Sequence, residues 1–162
     1  MIIADACSVI LLAKASVLEG SSSTYNICIS TQVYEEVLAG KQKQFQDALL
    51  LERLAREKKI KIIEAPSASR RRIQRDFRMG EGEASTIALG IKERAIVATD
   101  NRQGRKAARI YGLPLVGSID IVVSLTKKGI ISKEKAQEAL RILREEGWFS
   151  PYLIEQARGD LP

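Results

Sequence analysis

The chain has 162 residues, of which 45% are hydrophobic and 28% charged, and its formal net charge is +6. This composition is typical of a globular protein, and the length predicts a single domain over residues 1–162. No stretch approaches the roughly 20 apolar residues that cross a bilayer, and no leader precedes the first strand, so we expect a cytoplasmic location away from membranes. The absence of histidine excludes Ser-His-Asp and Cys-His nucleophiles and any imidazole metal site.

Short β-branched runs alternate with helix-like segments along the chain. Strands are predicted at residues 2–5, 27–29, 60–63, 95–99 and 115–116. Helices are predicted at 9–18, 31–39, 44–57, 82–93, 102–111, 119–127, 133–145 and 151–157, with a turn at 20–23 and a mobile, basic connection at 66–79. This alternation predicts an α/β fold in which helices cover both faces of a mainly parallel sheet.

Two of the predicted strands end in an aspartate, Asp5 and Asp100. Sites in open parallel sheets form beyond the carboxyl ends of the strands, so both carboxylates are expected in one crevice. Two carboxylates held together repel each other unless a cation or a shared proton joins them. Because no imidazole is available, oxygen ligands must dominate such a site, which favours Mg²⁺ or Mn²⁺.

Two pairs of glutamates at predicted helix starts are further candidates. Glu35 and Glu36 follow the second strand, and Glu81 and Glu83 precede the helix at 82–93. Either pair could simply stabilise a helix N-terminus by its charge. Helical periodicity does not select one glutamate of either pair, because both members lie at similar angles from the apolar stripe.

Basic residues cluster in two places, which suits a polyanionic substrate but equally suits a solvated surface. The first cluster could form a helix with Ile73 and Phe77 on its apolar edge. The second follows Asp100 directly. The arginines of the first cluster are Arg70, Arg71, Arg72, Arg75 and Arg78, and those of the second are Arg102, Arg105 and Arg109.

The remaining side chains of interest are expected to be structural. Cys7 and Cys28 are too few for a disulfide framework and are predicted to be buried free thiols. Tyr34, Tyr111 and Trp148 are predicted to pack in the core, because an aromatic content of 5% argues against extended base stacking.

The order and spacing of several short motifs resemble the PIN-domain family, in particular compact prokaryotic members similar to toxin-type ribonucleases. The resemblance covers nearly the whole chain. The motifs are Asp5-Ala6-Cys7-Ser8, Val33-Tyr34-Glu35-Glu36-Val37, Gly82-Glu83-Ala84, Thr99-Asp100-Asn101, Gly104-Arg105-Lys106-Ala107-Ala108, Gly112-Leu113-Pro114-Leu115-Val116-Gly117-Ser118 and Gly147-Trp148-Phe149-Ser150.

The resemblance implies a three-layer α/β/α fold with a parallel five-stranded sheet and an acidic cluster of Asp5, Glu36, Glu83 and Asp100. It implies a ribonuclease that uses one or two Mg²⁺ or Mn²⁺ ions to activate water against single-stranded RNA. A toxin role would add a small antitoxin-like protein as partner, and a homodimer. Ser8 matches a hydroxyl residue that helps to order the site, although it could instead cap the first helix.

The chain departs from the family pattern at Asn101, where relatives often carry an acid, and at Ser85, where relatives often carry another. An amide can support the site through a metal-held water but adds no charge, so a catalytically weak or inactive RNA-binding module is the alternative. Phosphatase-type aspartate chemistry would require a second aspartate at the position of Cys7. The chain has no GxxxxGK[ST] run, which excludes a P-loop.

Overall fold

The computed structural model describes residues 1–40 and 46–162. It alternates strands and helices as the sequence predicts, with one helix at a predicted turn and another where the sequence left a helix as an alternative. In chain order the elements are β1 (Ile2–Ala4), α1 (Ala6–Lys14), α2 (Leu18–Thr24), β2 (Ile27–Ser30), α3 (Thr31–Ala39), α4 (Gln46–Arg56), β3 (Ile60–Ile63), α5 (Ser67–Phe77), α6 (Glu81–Glu93), β4 (Ile96–Ala98), α7 (Arg102–Ile110), β5 (Leu115–Val116), α8 (Ser118–Lys127), α9 (Lys133–Glu146) and α10 (Pro151–Gly159).

The strands form one five-stranded sheet in the order β3-β2-β1-β4-β5, and every pairing in it is parallel. Ile2 of β1 lies opposite Ile27 on one side and Ile96 on the other. The chain extends the sheet on one side of β1 through β2 and β3, and then on the other side through β4 and β5. Such a reversal of strand order leaves a crevice beyond the carboxyl ends of the strands.

Helices cover both faces of the sheet because strand side chains alternate between two cores. Ile2 and Ala4 face a large core shared with α1, α3, α4 and the C-terminal helices α8 to α10. The opposite face is covered by α5, α6 and α7, with Ile3 and Val97 buried beneath them. The predicted three-layer α/β/α architecture with a five-stranded sheet is therefore confirmed, and the sheet is wholly parallel over the described residues.

The predicted turn at residues 20–23 is wrong, because the segment forms α2. Its small hydroxyl side chains hydrogen-bond to carbonyls one turn back, with Ser21 Oγ 2.7 Å from the oxygen of Val17 and Thr24 Oγ1 2.7 Å from the oxygen of Gly20. These bonds satisfy the side chains inside a helix, where serine and threonine are otherwise poor formers. Burial of Leu18 then fixes the helix against the core.

The prediction of a mobile connection at 66–79 is also wrong, because most of these residues form helix α5. The alternative interpretation as a helix with one apolar edge holds: Ile73 is fully buried and Phe77 packs beside it, 5.9 Å from the ring centre of Tyr111. Arg78 ends the helix in the left-handed region with a φ of 49°. The arginines of α5 are thus held on a fixed helix beside α6.

Other boundaries shift slightly. Helix α1 runs over Ala6–Lys14 instead of 9–18, because Asp5 caps it and Ser16 adopts a φ of 55° soon after its end. Gly40 ends α3 and Ser132 caps α9, both as predicted. The predicted start of a helix at Gln44 lies outside the described residues. No helix in the described part of the chain has both the length and the apolar character to cross a bilayer.

Candidate active site

Asp5 and Asp100 lie at the crevice between β1 and β4, each just beyond the end of its strand. Asp5 follows β1 directly and is the N-cap of α1, and Asp100 comes two residues after the end of β4. Their positions follow from the parallel pairing of the two strands, which brings both carboxyl ends to one edge. We call the region that they share with Glu36 and Glu83 the carboxylate crevice.

Asp5 is only 2% exposed, and its two oxygens have different surroundings. Oδ1 accepts a hydrogen bond of 2.8 Å from the Ser8 backbone N–H, which caps α1. Oδ2 is buried without a hydrogen-bond partner among the described residues. Burial raises the pKa of Asp5 from 3.8 to about 6. Hydrogen bonds from Thr99 and Ser8 lower the pKa, and the negative charge of Asp100 raises it slightly. The buried carboxylate of Asp5 therefore has an oxygen whose negative charge no neighbouring group in the described part of the chain compensates.

Asp100 is held by two serines from different parts of the chain. The Ser8 hydroxyl lies 3.3 Å from Oδ2, so Ser8 orders the site in addition to its place in α1. The Ser118 N–H donates to Oδ1 at 3.0 Å, and the Ser118 hydroxyl donates to Oδ2. Ser118 is the first residue of α8, so Asp100 also faces the positive end of that helix.

Ser118 was missed as a site residue from sequence. The available signal was a Gly-Ser pair directly after the strand that neighbours β4, where the parallel sheet brings the ends of β4 and β5 together. Gly117 matters as well: a Cβ there would lie 2.8 Å from Asp100 Oδ1 and 3.3 Å from Arg105 Nη1. Glycine thus leaves room for the carboxylate and the guanidinium at the same place.

The structure separates the two members of each glutamate pair. Glu83 turns back along α6 and accepts a 3.1 Å hydrogen bond from the Gly80 N–H, whereas Glu81 forms an ion pair with Arg70. Glu36 lies against α6, where a Cβ on Gly82 would collide with Glu36 Oε2. Partial burial, and then the charge of Glu83, raise the pKa of Glu36. Glu35 is exposed.

A buried hydroxyl pair ties these two glutamate-bearing helices together. Ser30 caps α3, and its Oγ lies 2.5 Å from the Oγ of Ser85 on α6. Ser85 also donates to the carbonyl of Gly82 at 2.7 Å. Ser85 is therefore used inside the fold, to hold α6 against the end of β2.

Cys7 lines a cleft together with Asp100. Its thiol is accessible, so the predicted burial is wrong for Cys7 and confirmed for Cys28. Loss of hydration raises the pKa of Cys7 to about 12, with further contributions from the charges of all four candidate carboxylates, Asp5, Asp100, Glu83 and Glu36. A thiol with this pKa stays protonated near neutral pH and is a poor nucleophile.

The residues after Asp100 form the start of α7. Asn101 Oδ1 accepts hydrogen bonds from the N–H groups of Gln103 at 2.8 Å and Gly104 at 3.1 Å, so Asn101 is the N-cap of α7. Arg105 Nη1 donates to the carbonyl of Thr99 at 3.1 Å, which fixes its guanidinium beside the crevice. Arg102 is exposed at the same end of the helix.

The arginines of α5 do not all face solvent. The side chain of Arg70 is only 15% exposed and is paired with Glu81. Arg71, Arg72, Arg75 and Arg78 are exposed. The four exposed arginines are therefore the accessible cations of this helix, and Arg70 serves as a link between α5 and α6.

The carboxylate crevice suits a hydrated divalent cation better than a bare one. Over residues 1–40 and 46–162, no three Asp, Glu or Cys side chains lie close enough to ligate one ion directly. Mg²⁺ keeps several of its waters and needs only one or two carboxylates, and the unpartnered Oδ2 of Asp5 is an anionic ligand of the required kind. Oxygen donors of this type select a hard cation.

Comparison with known proteins gives the family. The DUF3368 family model, described as a PIN domain, matches residues 1–160. No curated protein matches the chain. PIN domains are in general nucleases that use divalent metal ions. Since the match covers nearly the entire length and the parallel sheet agrees with it, the chain belongs to the PIN-domain family.

Proposed function

We propose that the protein is an endoribonuclease that cleaves single-stranded RNA with Mg²⁺ or Mn²⁺. The observation that carries this proposal is the link between Asp5 and Asp100 through Ser8 at the carboxyl ends of β1 and β4, with Glu36 near Glu83 and an oxygen of Asp5 left unpartnered. Clustered carboxylates are costly without a counter-ion, so their retention in one crevice supports a cation site.

Each residue has a definable task under this proposal. Asp5 and Asp100 would hold the cation, because they flank the crevice where β1 and β4 end. Glu36 on α3 and Glu83 on α6 would orient the water molecules bound to the cation. Ser8 and Ser118 keep Asp100 in place by donating to its oxygens. When bound, the cation supplies activation of water and neutralises charge on the phosphodiester.

The direct test is cleavage of a mixed-sequence single-stranded RNA by purified protein. We expect cleavage with Mg²⁺ or Mn²⁺ and none with excess EDTA, because the carboxylates alone provide no electrophile. Internal cuts in a circular RNA would establish endonuclease action. Equal cleavage with and without chelator, or none with either ion, would refute the proposal.

A second candidate is a PIN-like module that binds RNA with weak or no catalysis. It is favoured by Asn101, whose side-chain oxygen is engaged in capping α7 and which adds no charge where relatives often have an acid. Metal-dependent cleavage separates the two, because the binding module would retain RNA without cutting it.

As the biological setting we propose the toxin half of a toxin–antitoxin pair, acting in the cytoplasm as a single domain over residues 1–162. Its partners would be RNA, a small antitoxin-like protein and a second copy of the chain. The support is the resemblance of the motifs to toxin-type ribonucleases. Growth arrest on expression, relieved by a small protein encoded beside it, is the expected result.

The exposed arginines of α5 are expected to set RNA affinity. Replacing Arg71, Arg72 and Arg75 with alanine should weaken binding and flatten its salt dependence, because each phosphate contact contributes a log–log slope of about −0.7 on single strands. Binding of labelled RNA measured over a range of salt concentrations tests this. The control replaces Lys133, Lys135 and Arg144 of α9, which belongs to the opposite layer. An equal loss in both variants would indicate a general effect of charge.

A further inference from the structure

A long cleft continues from the carboxylate crevice towards the C-terminus. It has a volume of about 1280 Å³ and runs from Asp100 between α7 and α8 to residues 147–149 and α10. Small-molecule pockets usually occupy about 300–1,000 Å³, so an open cleft of this size suits a segment of polymer. One end of the cleft is the site proposed for the chemistry.

One wall of the cleft is cationic. Arg102, Arg105 and Arg109 line it from α7, and their spacing of three and four residues places them on one face of that helix. Lys127 contributes from α8. None of these four side chains forms an ion pair with any residue that the structure describes. Their charge is therefore available to an external anion.

Four acidic residues also line the cleft, and one of them, Glu146, is neutralised by an ion pair. Glu146 pairs with Lys14 at 2.9 Å, and Asp120 accepts a 2.7 Å hydrogen bond from the Gly117 N–H. Asp100 belongs to the carboxylate crevice, which leaves Asp160 at the edge. Asp120 keeps its negative charge, but the three arginines are grouped on one face of α7, and that grouping favours an anionic partner such as a nucleic-acid backbone along this wall.

The far end of the cleft carries an aromatic ring with no packing role. Trp148 has a relative exposure of 105%, so its predicted place in the core is wrong, while the neighbouring Phe149 packs against the core. Tyr34 and Tyr111 do pack, as predicted. An exposed tryptophan in a cleft that is also lined by arginines is a combination that binds single strands, with bases stacked on the ring and phosphates on the cations.

We infer that this cleft is the entry track for single-stranded RNA and that Trp148 stacks one base of the strand. The inference rests on the proposed function, because it takes the carboxylate crevice as the end of the track. The backbone lies along the α7 arginines and leads the scissile phosphate towards Asp100. The bases of duplex RNA cannot stack on the Trp148 ring, because they are already stacked within the double helix.

Trp148 is the only tryptophan of the chain, so its intrinsic fluorescence reports on the cleft directly. The experiment titrates the Asp5→Asn variant, which preserves the RNA, with a mixed-sequence single strand and with its duplex. We expect saturable quenching by the single strand and little by the duplex. Equal quenching by both would overturn the stacking arrangement.

Affinity for labelled RNA is then compared among Trp148→Ala, Trp148→Phe and Tyr152→Ala. Loss of one stack should weaken the alanine variant roughly 5- to 100-fold, and phenylalanine should restore most of the loss. Tyr152 is the matched control, because it is 73% exposed on the same segment yet does not line the cleft.

The outcomes separate this inference from the proposed function. If the wild type cleaves RNA with metal but Trp148→Ala binds RNA as tightly as the wild type, the track is wrong and the ribonuclease stands. That result would leave the aromatic end of the cleft to a protein segment. If the wild type neither binds nor cleaves single-stranded RNA, both proposals fail together.

Discussion

Replacement of Asp5 with asparagine is expected to abolish metal-dependent cleavage while the protein remains folded. Asparagine can still accept the Ser8 N–H and cap α1, so the local backbone is retained. The variant loses the anionic oxygen that has no other partner. Because a catalytic cation contributes several kcal/mol to the transition state, the rate should fall at least about 100-fold. Single-turnover cleavage at saturating Mg²⁺ measures the loss, and circular dichroism confirms the fold.

The glutamate pairs provide the matched controls for this result. Glu36→Gln should lower cleavage and Glu35→Gln should not, because only Glu36 lies beside Glu83. Retention of cleavage by Asp5→Asn would place the chemistry elsewhere. If the two glutamine variants lower cleavage equally, the effect comes from the loss of negative charge in general and not from the loss of a group that holds the cation or its waters.

The strands and the sheet could be read from the sequence because buried parallel strands require short β-branched runs. The aspartates followed from the same logic, since residues after parallel strands share an edge. Helix α2 could not be predicted, because its serines and threonine favour a turn locally and become helical only through burial of Leu18. Local composition and tertiary packing disagree there, and packing decides.

The choice between Glu35 and Glu36 depended on the packing of α3 against α6, which one helix's periodicity does not contain. It came from the family resemblance, and the structure places Glu36 against Gly82 on α6. Ser118 was missed for a similar reason: its contact with Asp100 joins residues from two neighbouring strand ends. Trp148 was misjudged because large aromatic residues are usually buried, so an exposed one becomes visible only in the structure.

Ionisation of Asp5 is expected to destabilise the metal-free protein as the pH rises from 4 to 7. A carboxyl whose pKa is higher in the folded than in the unfolded chain stabilises the fold fully below its unfolded pKa, here 3.8, and that contribution is lost as the pH rises through about 6. The difference corresponds to about 3 kcal/mol. In EDTA, Asp5→Asn should therefore be more stable than the wild type at pH 7.5, with a Tm higher by roughly 6–12 °C.

Added metal should largely cancel this difference. Mg²⁺ or Mn²⁺ at about 100 times its Kd stabilises the wild type by about 2.7 kcal/mol, because the ion binds the folded state alone, whereas Asp5→Asn should respond weakly. Thermal melts of both proteins from pH 4 to 8, with EDTA and with each ion, measure the two effects, and Glu35→Gln serves as the control for loss of a surface charge. A Tm difference between the wild type and Asp5→Asn that stays constant across this pH range in EDTA would mean that ionisation of Asp5 does not destabilise the fold. A metal response in Asp5→Asn equal to that of the wild type would remove Asp5 from the ligands.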